Sequence, residues 1–208
     1  GELHIYMRIP PKHRNMVEAA FYAQYPDAEI VEMKEDYMSR FPAKTISELL
    51  DKGYEFFGNE LILAQDDGYP IRTYRELEAI EEESKVDPIA ALLETMSKIK
   101  PPEFLVVQLL VRPLIDDRWL NSGRKLLDTL REKFGRRQMF SPAFGEFVMI
   151  DRTPGEIELM KAVGHNISKP AFDSTLRYVY MSPRELYSDG FARRGVLSAF
   201  NQYAVEDR

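Results

Sequence analysis

Residues 103–114 read EFLVVQLLVRPL, a near-continuous apolar run that follows Pro101-Pro102. No other stretch restricts the fold as much. Its length and its β-branched content predict a strand, and the lack of polar alternation predicts one buried on both faces. Such a strand needs hydrogen-bonded neighbours and a covering layer on each side. A chain of 208 residues is long enough to supply them, as one large domain or two small ones.

The segments before it supply candidate partners. LHIYMRI (Leu3 to Ile9) has strand content and is stopped by Pro10-Pro11. Val17, Ala20, Phe21 and Gln24 recur at helical spacing, and Pro26 closes that helix. Ala28 to Met33 alternates like a short strand, so Val17–Met33 reads as scaffold. If Phe21 lies in the core, Phe21→Ala is expected to cost about 3–5 kcal/mol. Residues 34–53 read as a loop with one short helical turn. Tyr54 to Ala64 reads as a strand, with Gly58-Asn59 as a bulge in preference to a hairpin turn. Asp87 and Pro88 mark the start of a helix carrying Ile89, Leu92, Leu93, Met96 and Ile99 on one face. The order strand, helix, strand, strand, helix, strand predicts an α+β fold: a ferredoxin-like β-α-β-β-α-β sheet over residues 1–114, both helices on one face.

Residues 115–208 are expected to form a second, mostly helical unit with at least one further strand, packed on the first. Asp116 or Asp117 is placed to cap a helix with Trp119, Leu120, Gly123, Leu126, Leu127, Leu130 and Phe134 on one face. Thr153-Pro154-Gly155-Glu156 is a capping box with proline at the first helical position. Asp173 to Met181 reads as a strand, and Ser188 or Asp189 as the cap of a last helix.

Chemistry is hard to find. There is no cysteine, which excludes disulfides and thiolate metal sites. No phosphate-binding GxxxxGK[ST] loop, dinucleotide GxGxxG, HExxH or GxSxG motif occurs. His4, His13 and His165 are scattered, and the acids Glu78, Glu81, Glu82 and Glu83 lack the turn residues of a cation loop. No apolar run is long enough to span a membrane. No catalytic, cofactor or metal residue is therefore assigned. The net charge of -6 is uneven: residues 1–100 carry -8 and residues 101–208 carry +2. The most distinctive charged stretch is 118–137, where Arg118, Arg124, Lys125, Arg131, Lys133, Arg136 and Arg137 stand against Asp128 and Glu132. It reads either as the polar face of an amphipathic helix or as a contact for phosphates or an acidic partner.

An ordered set of phrases carries a family resemblance: VEAAFYAQYPDAEI (17–30), YEFFGNELIL (54–63), YPIRTY (69–74), DPIAALLETMSKIKPPE (87–103), VQLLVRP (107–113), ISKPAFDSTLRYVY (167–180) and SAFNQY (198–203). Together they resemble the N-terminal, non-motor region of bacterial proteins related to conjugative type IV secretion ATPases and HerA-like translocases, a group widespread in uncultivated lineages. The resemblance implies a non-catalytic interaction or structural domain involved in DNA or protein translocation. It implies an ATPase motor beyond Arg208, in the same or an associated chain. It also implies a cytoplasmic setting, a homo-oligomeric habit, and a membrane complex reached through segments outside these residues. The alternative is a nucleic-acid-binding module that uses residues 118–137.

Overall fold

In the computed structural model, residues 4–73, 87, 89–135, 137–141 and 145–204 are described, without the side chains of 137–141 and 146–150. The fold is α+β. Helix α1 (Arg14–Gln24) and the short α2 (Ile46–Asp51) precede strand β1 (Tyr54–Leu61). Then come α3 (Ala90–Ser97), β2 (Phe104–Pro113) and α4 (Arg118–Lys133). A hairpin of β3 (Arg137–Ser141) and β4 (Glu146–Ile150) leads to α5 (Pro154–Ile167) and β5 (Phe172–Pro183). A π-helical turn, Phe191–Gly195, runs directly into α6 (Val196–Ser198).

Local signals mark several helix starts. The Thr153 hydroxyl accepts from the Glu156 amide at 3.3 Å, and Glu156 accepts from the Thr153 amide at 2.7 Å, so the expected capping box forms. The Asp87 carboxylate accepts from the Ile89 amide at 2.9 Å, just ahead of α3. The Ser188 hydroxyl accepts from the Phe191 amide at 3.3 Å, which makes Ser188 the cap, while Asp189 binds Arg193. Helix α2 opens on Thr45, whose hydroxyl accepts from the Glu48 amide at 3.2 Å. That T-x-x-E spacing was available in TISE (45–48).

The sheet departs from the ferredoxin-like expectation. It has three antiparallel strands in the order β1-β5-β2. Residues 4–9 and 28–33 form no strand, and Ile5 is 84% exposed. β propensity reports how a residue fits a pleated surface, and a strand exists only where another supplies its hydrogen bonds. The partner that both β1 and β2 take is β5, from far along the chain, so one sheet draws strands from both sides of residue 114. β1 runs unbroken through Gly58 and Asn59, opposite Val179 and Tyr178, with neither hairpin nor bulge.

The core has two parts. On one sheet face, Tyr178, Tyr180 and Ser182 are fully buried beneath Ala192, Val196 and Ala199 of the C-terminal helical segment. The helices α4 and α5 pack together, with Gly123 against Ile167, and Leu130, Val163 and Ile167 are buried. Helix α1 contributes no fully buried residue. Phe21 is half-buried against Tyr25, with ring centroids 5.1 Å apart, which corrects its expected core position. Aromatic contacts link this N-terminal region to the sheet: Tyr6 stacks on Tyr37, Tyr37 meets Phe41, and Phe41 meets Phe104 of β2. No helix among the described residues is long and apolar enough to cross a membrane.

Candidate functional site

Three regions have the properties of a site: the cations of α4, a tyrosine cluster under the C-terminal segment, and the open end of the sheet.

The α4 cations do not converge. Successive helix residues turn by about 100°. Arg124 and Arg131 therefore share one flank, Arg118 and Lys125 another, and Lys133 lies apart. All five are exposed. Arg118 binds Asp116 at 2.6 Å, and Arg131 binds Asp128 at 2.8 Å. The Arg118 backbone N–H and then its guanidinium hold the Asp116 carboxyl below the usual carboxylate range. Lys133 lies over the Phe134 ring, 5.5 Å from its centroid. The Arg124 and Lys125 side chains make no ion pair or hydrogen bond with the described residues, and the Lys125 carbonyl accepts from the Thr129 hydroxyl at 3.0 Å. Arg136 lies outside the described residues, as do Glu78 and Glu81 to Glu83, and Arg137 is described only as the first backbone position of β3.

Two shallow depressions adjoin these cations. One, of about 410 Å³, lies between α4 and α5 and is bordered by Arg124, Asp128 and Arg131. The other, of about 420 Å³, holds the pairs Arg112–Asp173 and Arg118–Asp116. Each positive group in the second is matched by a carboxylate at 2.6 Å, which leaves little field for an anion.

The tyrosine cluster is the most enclosed polar region. Tyr180 donates to the Glu103 carboxylate at 2.5 Å, and Tyr178 donates to the Ala192 carbonyl at 2.8 Å. Arg193 reaches back over the Phe57 ring at 4.5 Å and binds Asp189 at 2.7 Å. Burial, and then the bond to Glu103, push the Tyr180 hydroxyl up to about 12. Burial also raises Tyr178 and Tyr187. The Tyr178 and Tyr180 phenols use their protons in structural hydrogen bonds, and Tyr187 stacks on Tyr180, so the cluster reads as a fastener for the C-terminal segment.

A pH dependence follows. Between pH 10 and 12 the unfolded chain has released the proton that folded Tyr180 retains. The contribution is whole below pH 10 and is lost as pH rises to 12, on the order of 2–3 kcal/mol. Urea midpoints at pH 9 and pH 11.5 should show this loss, and Tyr180→Phe should flatten the difference. An equal alkaline loss in the variant would show that Tyr180 is not responsible.

The third region is the end of the sheet away from the C-terminal segment. β2 is half-buried over its first five residues and exposed over its last five. Leu109 is 62% exposed and Val111 60%, with Phe172 and Ile115 nearby in the chain order of the sheet. This corrects the expectation of a strand buried on both faces along its whole length. The apolar run shows that cover is needed, but it cannot show how far this chain's own helices extend. No protein-family model, curated protein or solved structure matches the chain.

Proposed function

We propose that this chain is a non-catalytic interaction domain, the N-terminal non-motor part of a translocating ATPase of the conjugative type IV secretion or HerA-like kind. The observation that carries the interaction reading is the uncovered half of β2, where Leu109 and Val111 lie in the open. An apolar strand is a costly surface to expose without a partner. The resemblance supplies the translocase context. Three of its phrases, YEFFGNELIL, VQLLVRP and ISKPAFDSTLRYVY, coincide with β1, β2 and β5, and SAFNQY follows in the segment over them. Its partners are then an ATPase motor in the same or an associated chain, further copies of itself, and a membrane complex.

Reading the gene past the codon for Arg208 tests this. The expected result is a Walker A loop followed by an acidic Walker B strand, in the same frame or in a neighbouring frame. A frame that ends close to Arg208, with no motor gene beside it, overturns the translocase assignment.

The nucleic-acid alternative rests on Arg124 and Lys125, the two α4 cations without a partner among the described residues. Phosphate-driven binding weakens steeply with salt. On the interaction reading, neither single- nor double-stranded DNA binds with a Kd tighter than about 10 µM at physiological salt. Tighter, salt-steep binding that disappears in Arg124→Ala/Lys125→Ala would put the nucleic-acid reading first.

A further inference from the structure

The backbone of β2 has one side satisfied and one side open. Leu114 donates to the Ala171 carbonyl at 3.0 Å, in register with the β2–β5 ladder. Hydrogen-bonded pairs alternate along an antiparallel ladder. Phe104, Val106, Gln108, Leu110 and Arg112 therefore bond to β5. Leu105, Val107, Leu109 and Val111 turn both backbone groups outward, and no described residue hydrogen-bonds to them.

The opposite edge of the sheet is guarded. β1 carries Glu55 and Glu60, and the Asn59 side chain accepts from the outward Glu60 amide at 3.0 Å. β2 has no such guard. Its only charge, Arg112, is held by Asp173 of its own chain at 2.6 Å. Charged and self-capped edges resist strand addition, and bare aliphatic edges invite it.

We infer that β2 pairs antiparallel with β2 of a second copy of this chain, about a two-fold axis at Gln108. Three features select this occupant and this register. Leu105 then faces Val111 of the other copy and Val107 faces Leu109, so all four outward residues exchange both bonds, about eight in total. Shifting the axis to Leu110 sets Pro113 opposite Val107, where the ring has no N–H to give. The burial of β2 is also complementary about Gln108: its exposed half, 109–113, comes to lie beside the half-covered residues 104–108 of the other copy. The two Arg112 side chains end up about 27 Å apart along the strands, well beyond a Debye length. A pairing of β2 with the guarded β1 edge would be head-to-tail and would not close, whereas β2 with β2 closes as a six-stranded sheet.

This inference takes the interaction reading as its basis and names the partner. Its test leaves the gene-level test of the translocase context untouched. Sedimentation equilibrium of the 208-residue chain should show a dimer below about 100 µM. Leu109→Lys alters an exposed side chain, so the monomer should melt normally, with dimerisation weakened roughly 100-fold or more. The chain has no cysteine, so Leu109→Cys carries its only thiol. In this register the two Cα atoms of residue 109 stand about 8 Å apart, within reach of a short bismaleimide. Leu109→Cys should crosslink to a dimer, and Glu60→Cys on the β1 edge should not. A wild-type monomer at 100 µM overturns the inference. So does a dimer indifferent to Leu109→Lys, or one crosslinked equally from Glu60→Cys. If Leu109→Lys fails to fold, the crosslinking pair decides alone.

Discussion

Leu130→Ala is expected to destabilise the fold by about 2–5 kcal/mol. Leu130 is 1% exposed and sits on the inner face of α4, one turn before the helix ends at Phe134. Helices α4 and α5 are in contact and Val163 and Ile167 of α5 are buried too, so truncating Leu130 leaves a cavity in a packed interior. Urea unfolding should show a lower midpoint at unchanged m-value. Phe21→Ala provides the contrast. Phe21 is the larger side chain, but α1 buries nothing fully, so its loss should cost about 1 kcal/mol. Equal costs at the two positions would mean that α1 is part of the main core.

Gly123→Ala is expected to destabilise although alanine is the better helix former. A Cβ at residue 123 would stand 2.1 Å from Ile167 Cγ2 and 3.0 Å from Ile167 Cβ. The first contact involves a branch close to the backbone, and the second cannot be relieved by rotating a side chain. The helices must separate, at a cost of about 1–3 kcal/mol beyond the roughly 1 kcal/mol gained in helix propensity. Ile167→Ala removes the shorter clash and keeps the longer one. The double variant Gly123→Ala/Ile167→Ala should therefore be more stable than the sum of the single costs allows, a coupling that a double-mutant cycle measures directly. Additive costs would show that α4 and α5 do not meet at Gly123.

The same helix shows why a cluster in sequence need not be a cluster in space. Seven cations crowd residues 118–137, yet α4 distributes the described ones around its exposed half, and two of them bind nearby carboxylates. The helical period that brings Leu130 and Gly123 inward necessarily turns Arg118, Arg124 and Lys125 to different bearings. The inner face of α4 was legible from spacing alone. The weakness of the charge cluster required knowing which acids lie beside each arginine, and Asp116 of the preceding loop is one of them.

What the residues determined by themselves is local. Thr153 with Glu156, and Ser188, are caps, and Asp87 closes a turn just ahead of α3 without being its cap, because each side chain bonds an amide only a few residues away and short-range spacing is enough to place it. The periods of α4 and α5 and the strand character of 54–61, 104–113 and 173–181 follow from the same short-range physics. Strand partnership lies outside it. A backbone carries the same donors and acceptors wherever it is extended, so nothing in residues 4–9 or 28–33 shows that they will form no strand. Only the tertiary structure decides that β5 enters between β1 and β2, because the paired segments lie far apart in the chain, and that the C-terminal segment covers one face, held by Tyr178 through the Ala192 carbonyl. Halfway along β2, at Leu109, its residues become exposed.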